Sequence, residues 1–258
     1  MAPHRLLTAE REHRILQLLK GQRVVSVAEL SRDLDVSEAT VRRDLQELAK
    51  KGSLVRVRGG AALGEDSRAE PLFADKEGKQ TSEKERIARR ALDLIEDHDT
   101  IYLDGGSTVL ALARLLDERV GLTIVTNSLT AASELMESNH HLILVGGEFR
   151  AISRTLVGPL TEPIISSLNV DKAFMGTIGF VAADGLMTTD PSEAFTKTEI
   201  MKRSNRVILL ADHTKLGKRS LARSEGRIHA LVTDSIDPDL HALLRELEID
   251  VHTPNDQA

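Results

Sequence analysis

Between residues 83 and 246 the chain repeats one rhythm. Short apolar runs near 100–103, 122–125, 141–145, 171–175, 206–210 and 228–233 are set among helical stretches near 83–97, 108–117, 129–138, 158–168, 191–204 and 237–246. An apolar run too short for a helix, then a helix, then another such run is the pattern of parallel strands joined by crossover helices. It predicts an α/β fold built on a mostly parallel sheet covered on both faces.

The first 62 residues lack that rhythm and carry three helical patterns instead. Thr8 can cap a first helix whose stripe is Ile15, Leu18 and Leu19 and which Gly21 stops. Ser26 with Glu29 forms a capping box for a short second helix through Leu34, its inner face Val27, Leu30 and Leu34. Asp35-Val36 makes a turn. Ser37 then caps a third helix running to about Lys51 and closed by Gly52, with Val41, Leu45 and Leu48 at i, i+4 and i+7. Leu54 to Arg58 alternates apolar and basic residues ahead of Gly59-Gly60 and reads as a strand of a small hairpin or wing. Residues 63–82 are polar, contain Pro71 and Gly78 and keep no period, so they read as a linker, with docking of part of it left open. The expected organisation is an N-terminal winged helix-turn-helix over 1–62, a linker over 63–82 and an α/β sensor over 83–258.

Composition narrows the partners. The 258 residues suffice for two cores, and no apolar run approaches the ~18 residues of a membrane span, nor does the N-terminus carry an apolar signal core. With no cysteine, disulfides, thiolate nucleophiles and cysteine zinc sites are excluded, and a reducing cytoplasm is expected. Nine scattered histidines show no metal-ligand spacing, so neither metal nor cofactor is expected. The net charge is −6, yet the first 62 residues hold 12 Lys+Arg against 8 Asp+Glu. That basic head on an acidic body suggests a polyanion at one end. Tyr102 and the phenylalanines at 73, 149, 174, 180 and 195 all lie beyond the head, which therefore has no platform for stacking on unpaired bases. Duplex DNA read by a helix remains.

On the third helix the direction opposite Val41 and Leu45 carries Ala39, Arg43, Gln46 and Lys50, flanked by Thr40, Arg42 and Glu47. Arginine can grip guanine, glutamine adenine, and a small residue can approach a thymine methyl. Such charges are more often solvated helix residues; the capped helix, turn, second capped helix and wing around them favour a DNA reader, with Ser37 at its start and Arg56 and Arg58 on the wing placed for phosphates.

The run VSVAELSRDLDVSEATVRRDLQELAKKGSLVRVRGGA over 25–61 resembles the N-terminal signature of the DeoR family of bacterial transcriptional regulators. EKERIA (83–88), DGGST (104–108), TNS (126–128), GGEFR (146–150), MGTIGF (175–180) and ADHTKLG (211–217) follow in that family's order, with its glycerol-3-phosphate and sugar-alcohol repressors the nearest in pattern. The resemblance implies a repressor of a carbohydrate or polyol operon, a winged helix-turn-helix joined to a ribose-5-phosphate-isomerase-like sensor, and a homo-oligomer (dimer or tetramer) presenting paired heads to operator DNA.

Four small polar loops follow apolar strands: Asp104-Gly105-Gly106-Ser107-Thr108, Thr126-Asn127-Ser128, Gly146-Gly147 and Gly176 to Gly179. Any one of them is also what a plain strand-to-helix turn requires. Together they converge on the carboxyl edge of the sheet, where open α/β folds bind ligands. A phosphorylated or otherwise anionic small molecule is expected there, held by Asp104, Gly106, Ser107, Thr108, Asn127, Ser128, Gly146, Gly147, Gly176 and Gly179. The resemblance adds Lys215 and makes the effector a phosphorylated sugar or polyol. Because the family's sensor is similar to phosphosugar isomerases, the alternative is an enzyme with Asp212, Lys215 and Glu193 as an acid-base set. Where those isomerases carry an Asp-Gly-Ala-Asp loop, however, this chain has Met175-Gly176-Thr177-Ile178, so binding without turnover is expected.

Overall fold

The structure, a computed structural model, describes residues 8–22, 24–50, 54–57, 59–62 and 70–254. They form two compact units that divide between Ala69 and Glu70.

The first unit runs α1 (Thr8–Gln22), β1 (Val24–Ser26), α2 (Val27–Asp33), α3 (Glu38–Lys50), β2 (Val55–Val57) and β3 (Gly60–Ala62). The capping box of α2 is present: the Ser26 amide donates to Glu29 at 2.8 Å and the Glu29 amide to the Ser26 hydroxyl at 3.2 Å. Asp35 turns the chain with φ 50°, and the Ser31 hydroxyl fixes the corner by donating to the Val36 carbonyl at 2.6 Å. Ile15, Leu19, Val25, Leu30, Leu34, Val41, Leu45, Leu48 and Leu54 make one aliphatic core. The wing is a three-stranded antiparallel sheet in the order β1-β3-β2, one strand more than the hairpin predicted. Residues 24–26 are too few to show alternation, and their partner strand lies far along the chain. Gly60 is glycine because a side chain there would strike the Val25 carbonyl. The first helix continues through Gly21 to Gln22, whereas the stop expected at Gly52 falls outside the described residues.

The second unit is built on seven parallel strands in the order β15-β14-β12-β9-β4-β5-β6, where β4 is Thr100–Leu103, β5 Thr123–Thr126, β6 His141–Leu144, β9 Val170–Met175, β12 Ser204–Leu210, β14 Ala230–Val232 and β15 Asp250–His252. Alternation divides the strand side chains between two cores. Ile101, Leu103, Ile208 and Leu210 pack with Ile87, Leu92, Val109 and Leu112 on one face. Tyr102, Val207 and Leu209 pack with Ile165, Ile200 and Leu244 on the other. The first face is covered by α5 (Thr81–Leu92), α6 (Ser107–Ala113) and α7 (Leu129–Leu135), the second by α8 (Glu162–Ile165), α9 (Pro191–Lys202) and α10 (Pro238–Glu246). The hairpin β7 (Glu148–Arg150) and β8 (Thr155–Val157) and the antiparallel set β10 (Gly179–Val181), β11 (Gly185–Thr188) and β13 (Ala222–Ser224) are additions that the helix–strand rhythm conceals.

Of the segment 63–82, the second part is docked. Residues 70–82 belong to the second unit and contain α4 (Phe73–Glu77). Phe73 is buried, its amide donates to the Ile152 carbonyl at 3.0 Å, and Glu70 is held by ion pairs. A single aromatic anchor and one buried carboxylate are enough to dock a segment whose average composition is polar. Among the described residues, no helix is long and apolar enough to cross a membrane.

Candidate DNA-reading helix and ligand-sensing edge

Helix α3 is capped by Ser37, whose hydroxyl accepts the Thr40 amide at 3.3 Å. Its outward side exposes Ala39, Arg42, Arg43 and Gln46, with Thr40 half-buried beside them. Arg42 pairs with Glu38 at 2.7 Å, but both side chains are about half exposed, so this contact is weak and free to open toward a phosphate. Arg43 and Gln46 make no side-chain hydrogen bond or ion pair among the described residues. Arg56 is exposed on β2, whereas Arg58 and the side chain of Lys50 lie outside the described residues. Asp44, absent from the predicted site, sits on the buried stripe at 4% exposure and takes a two-pronged contact from Arg11 at 2.8 and 3.1 Å. That contact fastens α3 to α1 and so fixes the angle at which the outward face is presented.

All seven strands of the large sheet are parallel, so β4, β5, β6, β9 and β12 end on one edge, and the four predicted loops meet there. Gly106, at φ 130°, has open space where a side chain would stand, and it leads into α6 at Ser107. Thr108 is nearly buried. Gly105 and Gly176 lie against each other so closely that a side chain on Gly176 would strike the Gly105 carbonyl. Gly147 and Gly179 are likewise enclosed by neighbouring backbone, while Gly146 has ordinary room. Ser128 caps α7 by accepting the Ala131 amide at 3.2 Å. Asn127 is buried; its amide donates to the Leu156 carbonyl at 2.9 Å and its side-chain oxygen has no partner among the described residues.

Asp104 faces inward. Its carboxylate accepts the Gly176 amide at 2.9 Å and is paired with the Lys197 ammonium, which also donates to the Gly176 carbonyl at 2.9 Å. From Lys197 the charges continue in alternating sign: Glu193 at 3.5 Å, Arg150 3.1 Å beyond it, then Glu70 at 2.7 Å and Lys76 at 2.8 Å. Burial of charge is costly, and the alternation of sign along this row offsets part of that cost. Burial pushes Glu70 up, but the pull of Lys76 and hydrogen bonds from Arg150, Lys76 and Thr189 outweigh it and bring its pKa to about 2. Burial also lowers Lys197, and Asp104 with Glu193 more than restores it. Glu193 is raised, chiefly by burial, with the field of Glu70 and Asp104 adding to it.

A second group is cationic. Lys84, only 6% exposed, sits on the inner face of α5 with Ile87, Ala88 and Ala91 and donates to the carbonyls of Lys76 and Lys79. Lys215 follows β12 in a turn that Asp212 caps, the Asp212 carboxylate accepting the Thr214 amide at 3.0 Å. Burial depresses both lysines, Asp212 opposes it, and they feel the charge of Lys76 as well. Lys79 and Lys218 add their repulsion at Lys215. Glu193 therefore belongs to one charge group and Asp212 with Lys215 to another. Among the described residues, no hydrogen bond or ion pair joins Glu193 to Asp212 or Lys215.

Residues 11–66 match the DeoR-like helix-turn-helix domain and residues 79–235 the DeoR C terminal sensor domain. The chain belongs to the DeoR family of transcriptional regulators. Over 232 residues it is 37% identical to the glycerol-3-phosphate regulon repressor of Escherichia coli (strain K12), covering 89% of this chain and 92% of that protein. The HTH-type transcriptional regulator GlpR of Haloferax volcanii is 35% identical over 237 residues, 91% of this chain and 93% of its own length. Among solved structures, ribose 5-phosphate isomerase A from Methanocaldococcus jannaschii is 20% identical over 52% of this chain and 53% of that one, with a TM-score of 0.38. This DeoR-family chain is thus a DNA-binding regulator and not an enzyme.

The charged residues missed in this regulator share one signature. Lys84 stands at i to Ile87, Ala88 and Ala91, Lys197 stands between Ala194 and Ile200, and Asp44 between Val41 and Leu48, each on the buried stripe of its helix. A charge at a core position has a partner or a ligand, because unpaired it would be expelled. That periodicity was available in the sequence.

Proposed function

We propose that this regulator is a repressor of a carbohydrate or polyol catabolic operon whose second unit binds a phosphorylated sugar or polyol. The observation that carries the ligand class is the lysine group. Two of the three Lys84 protons go to carbonyls, leaving one for a ligand oxygen, and Lys215 stands in the same crowded positive field. A phosphate supplies the missing negative charge, and the backbone amides at the start of α6, from Gly106 through Ser107 and Thr108, supply further donors. Asn127 offers its unpartnered oxygen to a ligand hydroxyl. Asp104, Ser128, Gly146, Gly147, Gly176 and Gly179 shape the loops and bring their backbones close. That the similar Escherichia coli protein is named for glycerol 3-phosphate accords with this class.

In the first unit, Ala39, Thr40, Arg43 and Gln46, with Lys50 at the helix end, read base edges; Ser37, Arg42 and the wing arginines Arg56 and Arg58 take phosphates. One such head makes few contacts, so a homo-oligomer, a dimer or tetramer acting in the cytoplasm, places two on a repeated site.

The test is thermal unfolding of the full chain with inorganic phosphate, glycerol 3-phosphate, fructose 1-phosphate, glycerol and fructose. Stabilisation by a phosphorylated compound and not by its parent alcohol supports the reading, the rise following RT ln(1 + [L]/Kd). Equal stabilisation by parent and phosphate, or none by any, would overturn it.

A further inference from the structure

We propose that Arg150 is a positioning residue for the DNA response: it couples the occupied carboxyl edge to Glu70, the residue at which the chain enters the second unit from the DNA-reading unit. This rests on the ligand reading above. The network has a ligand end, Asp104 and Lys197 at the loops after β4 and β9, and an entry end, Glu70 with Lys76 and Thr189. Glu193 and Arg150 are the only link between them that the ion pairs of the described residues provide.

The hydrogen-bond geometry shows which way that link is set. Arg150 directs its N–H groups to Glu70 at 2.7 Å, Thr189 at 2.9 Å and Ser153 at 3.0 Å. Toward Glu193 it makes a contact of 3.1 Å without hydrogen-bond alignment, and the Glu193 Oε2 atom is buried with no hydrogen-bond partner. The Tyr102 hydroxyl is also fully buried and unpartnered, in the field of the same Glu193 and of Asp104. A buried carboxylate oxygen short of a donor, and a buried hydroxyl short of an acceptor within its field, leave room for a second arrangement.

The ligand decides between the two. When a ligand oxygen at the Asp104 and Gly176 loops engages Lys197, Glu193 loses one of its two cations. It then draws Arg150 into alignment and accepts from Tyr102, while Glu70 gives up the hydrogen bond from Arg150. The same segment is otherwise held by the Phe73 amide on the Ile152 carbonyl and by Arg154 over the Phe73 ring at 5.2 Å, so the point of entry loosens without the unit unfolding. Coupling of this kind is reciprocal and typically changes affinity on the order of tenfold.

The test uses the full chain, a duplex selected by the wild type from a random-sequence pool, and whichever phosphorylated compound of the panel above stabilises the wild type most. In the wild type, amide exchange over residues 70–73 rises on ligand addition and duplex affinity changes on the order of tenfold. Glu70→Gln without ligand binds the duplex as the liganded wild type does, is still stabilised by ligand, and responds less than twofold. Tyr102→Phe, which keeps the ring, retains ligand-free duplex affinity and loses most of the response. A full wild-type response in both variants would overturn the coupling while leaving the ligand reading intact. Loss of ligand stabilisation in Glu70→Gln would likewise defeat it, by placing Glu70 in the binding site itself. If no compound stabilises the wild type, the ligand reading fails and the coupling with it.

Discussion

Arg11 on α1 and Asp44 on α3 meet in a two-pronged ion pair at 2.8 and 3.1 Å, with the Asp44 carboxylate 5% and the Arg11 guanidinium 11% exposed. The pair lies on the side of α3 that faces the core, behind the outward arginines. Removing one member leaves a buried charge uncompensated, which costs about 3 to 5 kcal/mol. Asp44→Ala should therefore weaken duplex binding without touching the outward face, and amide exchange over both helices should accelerate. Replacing both members by apolar residues, Arg11→Met with Asp44→Leu, should restore most of the protection. An Asp44→Ala protein with wild-type exchange would show that the pair is not what holds α3 in place.

The roles proposed for Arg43 and Arg56 divide the DNA contacts by kind. Arg43→Ala should remove ~1 to 3 kcal/mol of binding and relax preference at one operator position. Arg56→Ala should weaken all sequences alike and lower the dependence on salt by about one ion. A selection from random duplexes performed with each variant separates the two; an unchanged consensus for Arg43→Ala would remove it from the base-reading set.

The charge on Glu70 sets an acid limit for the second unit. Its folded-state pKa of about 2 lies below its unfolded value, so the stabilisation is complete above about pH 4.5 and is lost as pH falls toward 2. A shift of this size corresponds to about 3 kcal/mol. Glu70→Gln should be less stable than the wild type by roughly that amount at pH 7, and the gap should begin to close below pH 4.5. Urea unfolding at several pH values measures it. A gap that stayed constant down to pH 3 would mean that Glu70 is not held ionised by Lys76, Arg150 and Thr189.

The parallel sheet was legible because each strand is a short apolar run bounded by a helix, and the first unit because Ser26 with Glu29 and the stripe Val41, Leu45, Leu48 are local signals. What escaped depends on contacts between residues far apart in sequence. Strand β1 exists because Val24–Ser26 pairs with Gly60–Ala62, and α4 is docked because Glu70 finds Arg150 and Phe73 finds Ile152. The four loops proposed to hold the ligand could be placed on one edge from strand ends alone. The buried charges near them include Lys84, Lys197 and Arg150; helical periodicity marks the two lysines as interior, but the partner of each charge is shown only by the fold.

Lys84 gives the sharpest test of the ligand class. Burial and the neighbouring lysines hold its folded-state pKa below the usual lysine value, with Asp212 opposing, so between those two pKa values the unfolded chain binds more protons than the folded one. Without ligand, stability should consequently rise as pH climbs through that window. A phosphate reverses the preference, because it favours the charged ammonium. The stabilisation given by a phosphorylated compound should be greatest below the window and fade as pH rises through it. Lys84→Met fits the apolar face made by Ile87, Ala88 and Ala91, so the protein should remain folded, lose the pH-dependent part of its stability that Lys84 contributes, and no longer be stabilised by the phosphate. Urea midpoints from pH 7 to 10, with and without glycerol 3-phosphate, measure all three effects. If Lys84→Met were stabilised by the phosphate as strongly as the wild type, the anion would have to sit elsewhere on the edge, and the lysine group would lose its claim to hold it.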